Sequence, residues 1–118
     1  MTLLAGLFLI AHGLVHVGLW ARPFDPSKGP FDPSRSWLLS RAGRASWSRP
    51  LAIALASLSA AVFVVAGIAV LAGAEWAGGA AVAGALCSLL LTALYLHPWL
   101  VFNVAIDLAI IAIVRISG

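Results

Sequence analysis

Charged residues are scarce in this 118-residue chain: they make up 9% of it, against about a quarter in an ordinary soluble domain. The chain also has a single cysteine, so it cannot form an internal disulfide bond. Hydrophobic residues make up 63% of it, which excludes a disordered chain, and the length excludes a large multidomain enzyme. The composition therefore predicts a small integral membrane protein.

Four apolar stretches are long enough to cross a bilayer as helices. A hydrocarbon core about 30 Å thick needs about 20 helical residues, and the period-two alternation of a barrel is absent. Pro50 precedes the second stretch, Glu75 separates the second from the third, and His97-Pro98 separates the third from the fourth. We predict one domain, an all-α integral membrane protein whose four-transmembrane-helix bundle runs up-down-up-down, with helices at about 2–21, 51–74, 76–96 and 98–115.

The loop at residues 22–50 holds six of the seven basic residues. The positive-inside rule places this loop in the cytoplasm and both termini outside a plasma (inner) membrane. The first stretch lacks a basic n-region and a small-residue cleavage site, so we interpret it as a retained helix. Residues 32–49 are predicted to include a short interfacial helix with Asp32 as N-cap and Pro33 at N1. The basic loop indicates anionic lipid headgroups as partners and not nucleic acid.

Strongly polar residues inside the predicted spans fall in the cytoplasmic half of the membrane. At 1.5 Å per residue, His16 lies roughly 7 Å below the cytoplasmic face and Asn103 roughly 8 Å below it. His12 and Asp107 lie deeper, at roughly 13 and 14 Å. Because the first and fourth spans are antiparallel, we predict that Asp107 accepts a hydrogen bond from His12. Asn103, one turn from Asp107, is predicted to link to His16.

Other polar side chains complete a predicted pocket that is open to the cytoplasm. On the third span, Ser88 is level with the deeper pair, Thr92 with the shallower pair, and Tyr95 continues their stripe. The outer half of the membrane has no ionisable or amide side chain, so a monomer cannot easily line a continuous aqueous pore. The predicted ligand-binding or proton-relay residues are His12, His16, Asn103, Asp107, Ser88, Thr92, Tyr95 and His97.

Two functions from different classes fit this pattern. The first is an accessory or small-ligand-binding membrane subunit, in which polar side chains join helices and small residues such as Gly6 and Gly13 let them approach. Such a subunit would act as a homo-oligomer or within a larger membrane complex. The alternative is a metal- or proton-dependent membrane enzyme or transporter component using His12, His16 and Asp107, since two histidines one turn apart and a carboxylate are a common ligand set for Zn or non-haem Fe.

The candidate cofactors differ in how well the sequence supports them. A transition metal fits better than haem, because adjacent turns of one helix cannot supply axial ligands to opposite faces of an iron. A quinone or lipid headgroup in the pocket would contact His16, Tyr95 and His97, with Trp20 and Trp99 as walls. No feature requires catalysis, so the non-catalytic function is favoured.

Overall fold

The structure is a computed structural model that describes residues 2–20, 36–95 and 100–117. Within these ranges every regular element is a helix and no strand occurs. The prediction of an all-α chain is therefore confirmed for this part of the protein. The elements are α1 (Thr2–Trp20), α2 (Trp37–Arg41), α3 (Ser48–Leu71), α4 (Ala77–Tyr95) and α5 (Val101–Ser117), with a 3₁₀ turn at Ala45–Trp47 before α3.

The four long helices correspond to the four predicted apolar stretches, although their ends differ by a few residues. α3 begins and ends three residues earlier than predicted, and Pro50 lies in its first turn as expected. α5 begins at Val101 and not at residue 98. The predicted break at His97-Pro98 lies outside the described residues.

Two helical segments in the described ranges are long and apolar enough to cross a membrane. One is Ala45–Leu71, which comprises the 3₁₀ turn and α3, and the other is α4. A shorter apolar helix begins at Thr2. The structure thus supports a membrane location through two candidate spans.

A glycine-capped turn connects α3 to α4. The N–H of Gly73 donates to the carbonyl of Val70 at 3.1 Å, and the N–H of Ala74 donates to that of Ala69 at 2.9 Å. These bonds satisfy carbonyls that the end of a helix leaves unpaired, and the φ of +70° at Gly73 favours glycine. The predicted short turn around Glu75 is confirmed.

Packing divides the interior into layers along the helices. α1 packs on α3, α3 on α4, and α4 on α5. One apolar cluster lies where α1 and α4 end and α3 and α5 begin, and a second lies towards the opposite end. Polar side chains of α1, α4 and α5 lie between them. The first cluster consists of Trp20, Ala52, Ala56, Leu91, Tyr95 and Leu100, and the second of Leu9, Phe63, Ala66, Ala81, Ala85 and Ile110.

Candidate functional site

Six polar side chains from three helices meet between the two apolar clusters. On each helix the two residues are four positions apart, which places them on one face, one turn from each other. Five of the six are buried, and Asn103 is half-buried. We call this set the polar network; it consists of His12 and His16 of α1, Ser88 and Thr92 of α4, and Asn103 and Asp107 of α5.

The contact between His12 and Asp107 joins α1 to α5. Nε2 of His12 lies 3.0 Å from Oδ1 of Asp107, whose side chain is fully buried. A buried carboxylate needs such a partner, because an unpaired charge away from water is strongly unfavourable. The predicted contact is confirmed, whereas its chemical role stays a prediction.

The side-chain amide of Asn103 connects α5 to α4. Its Nδ2 lies 2.9 Å from both Ser88 Oγ and Thr92 Oγ1, and 3.2 Å from Asp107 Oδ2. An amide nitrogen carries two hydrogens, so the three acceptors must share them. The contact with Asp107 is the longest of the three. The predicted link from Asn103 to His16 runs through the Ser88 hydroxyl, which contacts both side chains.

Both ring nitrogens of His16 have partners. Nδ1 lies 2.8 Å from the backbone carbonyl oxygen of His12, and Nε2 lies 2.7 Å from Ser88 Oγ. A carbonyl oxygen only accepts, so Nδ1 carries the proton, and Nε2 of the neutral ring accepts from the Ser88 hydroxyl. The hydrogen bonds thus form a closed ring that runs through Asp107, His12, His16, Ser88 and Asn103 and returns to Asp107.

Two phenylalanines that no sequence motif indicated contact the histidines. The ring of Phe63, on α3, is fully buried and its centroid lies 4.8 Å from that of His12 and 5.7 Å from that of His16. Phe8 stacks on His12 with a centroid distance of 5.8 Å. A Cβ at Gly84 would lie 2.9 Å from the Phe63 ring, so the small residue makes room for it. Nothing in the sequence distinguishes these phenylalanines from other apolar residues of the spans.

Tyr95 lies outside the polar network. Its ring packs edge-on against Trp20 at 5.0 Å, and its hydroxyl donates to the backbone carbonyl of Ser48. Both aromatic rings belong to the first apolar cluster. They therefore pack against each other in the region that was predicted to be a pocket open to the cytoplasm. His97 and Trp99 are outside the described residues.

The geometry does not assemble His12, His16 and Asp107 as a metal-ligand set. His12 contacts Asp107, but the two ring nitrogens of His16 face a backbone carbonyl and a serine hydroxyl. In residues 2–20, 36–95 and 100–117, no three His, Cys, Asp or Glu side chains form a group that could hold a metal ion. The predicted metal site therefore gains no support from the structure.

A groove of about 850 Å³ lies between α1 and α5, on the side of the second apolar cluster. Residues 2–9 of α1, 77–81 of α4 and 106–114 of α5 supply most of its lining. Thr2 is the only polar residue among those that line it. The groove is thus separate from the polar network and lies in the half of the bundle that the sequence analysis expected to be apolar.

No protein-family model, curated protein or solved structure matches this chain. A functional assignment therefore depends on the polar network and on the exposed surfaces of the helices.

Proposed function

We propose that this protein is a non-catalytic accessory subunit of a membrane assembly, built as a four-span bundle whose polar network joins the helices. In this proposal α1, α3, α4 and α5 each cross the plasma (inner) membrane, in up-down-up-down order. Both termini are outside, and the loop at residues 22–50 is cytoplasmic. Lipid chains surround the bundle, and the polar network lies in its interior.

Exposed apolar side chains on all four long helices support the membrane location. Leu4, Ile68, Leu86 and Ile113, one on each helix, are all more than half exposed. Water would disfavour so much apolar surface, whereas hydrocarbon does not. α1 and α5 have 19 and 17 residues. At 1.5 Å per residue they are about 28 and 26 Å long, close to the hydrocarbon thickness of about 30 Å.

The observation that carries the proposal is the closed ring of hydrogen bonds in the polar network. Each side chain of the ring hydrogen-bonds to another member of the ring, and both ring nitrogens of His16 and both carboxylate oxygens of Asp107 have partners within the protein. Between membrane helices each such bond contributes about 0.6 kcal/mol on average. Side chains that satisfy one another in this way favour a structural polar core over an open binding site.

A proton-holding centre is the second candidate function, and the contact between His12 and Asp107 favours it. One hydrogen bond joins Nε2 of His12 to Oδ1 of Asp107, so a proton lies between an imidazole and a carboxylate. Residues 2–11 and 108–114 contain no ionisable side chain that could continue a relay to the outer face. Such a centre would pass its proton to a partner subunit and not across the membrane.

Histidine modification tests whether small solutes can reach the polar network in the folded protein. Diethyl pyrocarbonate acylates accessible imidazole nitrogens, and a His97→Gln background leaves only His12 and His16 to react. We expect both to react about tenfold more slowly, or slower still, in the folded protein in micelles than after unfolding, because reaction requires local opening. Peptide mass spectrometry measures the two rates separately.

Two outcomes would contradict the proposal. Equal modification rates in the folded and unfolded protein would show a site that is open to small solutes. Stoichiometric Zn or Fe, or a haem absorption band, in the purified protein would show a cofactor site. As a positive control, Asp107→Leu opens the ring and should raise the modification rate at His12.

A further inference from the structure

The segment at residues 36–47 is fixed across the end of α4. Nε1 of Trp37 donates to the carbonyl oxygen of Ala93 at 2.7 Å, and the hydroxyl of Ser36 donates to that of Leu94. These bonds satisfy carbonyls that the end of α4 leaves unpaired. The segment therefore has a defined orientation relative to the bundle.

Two arginines of this segment stack on two tryptophans. The Cζ atom of Arg41 lies 5.9 Å from the ring centroid of Trp37, and that of Arg44 lies 5.2 Å from the ring centroid of Trp47. Gly43, whose φ is +72°, ends α2 in a left-handed turn that leads into the 3₁₀ turn. We call Trp37, Arg41, Arg44 and Trp47 the Trp–Arg surface.

The Trp–Arg surface combines exposed indoles with positive charge. Both indoles are about half exposed, and Leu38 beside them is also exposed. Indoles favour the boundary between lipid headgroups and acyl chains, where one edge is apolar and the other wet. Residues 36–74 contain three arginines and no acidic residue, so the charge of the surface is not neutralised within this stretch.

We propose that the Trp–Arg surface binds the headgroups of anionic phospholipids at the cytoplasmic face of the membrane. This inference rests on the proposed membrane location. The indoles lie at the boundary of the acyl chains, and each stacked guanidinium keeps its charge and its N–H edge for a lipid phosphate. Charge complementarity selects lipids with a net negative charge, such as phosphatidylglycerol, over zwitterionic phosphatidylcholine.

Spin-labelled lipids measure this preference on the intact protein. The protein is reconstituted in phosphatidylcholine vesicles, and labelled phosphatidylglycerol or phosphatidylcholine is added. The fraction of label immobilised at the protein gives the relative association constant of each lipid. We expect phosphatidylglycerol to be preferred, and Arg41→Gln and Arg44→Gln each to reduce that preference by up to about fivefold.

Arg115→Gln is the matched control, because Arg115 is an exposed arginine at the other end of the bundle. This variant should keep the preference of the unmodified protein. An unchanged preference in the Arg41→Gln/Arg44→Gln double variant, or an equal loss in Arg115→Gln, would overturn the headgroup proposal alone. A protein that does not float with pure phosphatidylcholine vesicles would overturn the membrane location as well.

Discussion

Asp107 shows how an apolar helix bundle accommodates an acidic side chain. Its Oδ1 faces His12 of α1, and its Oδ2 faces Asn103 one turn earlier in α5. In the proposed four-span arrangement, a carboxylate near the middle of α5 costs about 2.5 to 3.5 kcal/mol on insertion scales. Hydrogen bonds to the charged group offset part of this cost, so the stability of the bundle should depend on the partners of Asp107.

We expect the effects of His12→Leu and Asp107→Leu on the free energy of unfolding to be non-additive. Each single substitution leaves a buried polar partner without its hydrogen bond, whereas the double substitution removes both partners. The coupling free energy should be about 1 to 2 kcal/mol, at the upper end of values for membrane helices. Unfolding in mixed micelles of a denaturing and a non-ionic detergent measures it.

Val15→Ala combined with Asp107→Leu is the control for this cycle. Val15 lies on the same helix as His12, but its side chain is exposed. Its coupling to Asp107 should be close to zero. A coupling of zero for His12, or an equally large coupling for Val15, would show that the contact between His12 and Asp107 does not stabilise the fold.

Ser88→Ala should destabilise the protein by about 1 to 3 kcal/mol, the cost of leaving buried partners unsatisfied. The hydroxyl bridges two helices, because it donates to His16 Nε2 and accepts from Asn103 Nδ2. Ser57→Ala removes the same group from an exposed position of α3 and should change the free energy of unfolding by less than about 0.5 kcal/mol. Equal effects of the two substitutions in detergent unfolding would show that Ser88 is not a bridge.

The contact between His12 and Asp107 could be predicted from the sequence, but the partners of the other polar side chains could not. His12 and Asp107 meet as predicted, because counting residues along two antiparallel helices places them at the same level. Ser88 was expected at the level of His12, yet its hydroxyl bonds to His16. Helix tilt and rotation depend on apolar packing, here around Phe63, and that packing leaves no pattern in the sequence.

At the scale of helices and turns, the short helix α2 depends on a serine cap and on contacts with the bundle. The sequence predicted Asp32 as the N-cap of a short interfacial helix, but this residue lies outside the described ranges. In the structure α2 begins at Trp37, and the Ser36 hydroxyl accepts from the N–H of Leu39. Serine and aspartate cap helices equally well. Tertiary contacts hold Ser36 at this position, since its N–H also donates to Ser48 Oγ.

The crossing of α1 and α3 depends on glycine because the two backbones touch. A Cβ at Gly67 would lie 2.6 Å from the carbonyl oxygen of Gly6, and a Cβ at Gly6 would lie 2.9 Å from that of Gly67. A Cβ at Gly13 would likewise lie 2.9 Å from the carbonyl oxygen of Ala60. The prediction that Gly6 and Gly13 let helices approach closely is confirmed.

We therefore expect Gly6→Ala to destabilise the bundle by about 1 to 3 kcal/mol, the usual cost of overpacking. Gly18→Ala is the matched control on the same helix, since a Cβ there meets no atom within 4 Å. That substitution should be neutral or stabilising by up to about 1 kcal/mol, because alanine favours helix more than glycine does. Equal stability of the two variants in detergent unfolding would contradict a close crossing at Gly6.

At the scale of the whole molecule, the four long helices could be predicted, but the way in which they pack against one another could not. Apolar runs of about 20 residues are unambiguous in a sequence. Trp20 and Tyr95 have amphipathic rings, which suit both the wall of a pocket and the interior of a bundle. Their mutual packing and the groove between α1 and α5 depend on how the helices pack together. Hydropathy carries no information on that arrangement.

The charge distribution is the feature of the whole chain that fixes the proposed orientation. Six of the seven basic residues lie within residues 22–49, which connect α1 to the first turn of α3, whereas the turn at residues 72–76 has none. A loop with an excess of Lys and Arg stays on the cytoplasmic side during insertion. The Trp–Arg surface and the turn at Glu75 should therefore lie on opposite sides of the membrane.

Single cysteines at Ser46 and Glu75, in a Cys87→Ser background, test this orientation. Both positions are exposed, and they lie at opposite ends of α3. A membrane-impermeant maleimide should label Glu75→Cys in intact cells and Ser46→Cys only after permeabilisation. Labelling of Ser46→Cys alone in intact cells would invert the proposed topology. Labelling of both in intact cells would show that α3 does not cross the membrane, because one thiol at each end of a span cannot face the same compartment.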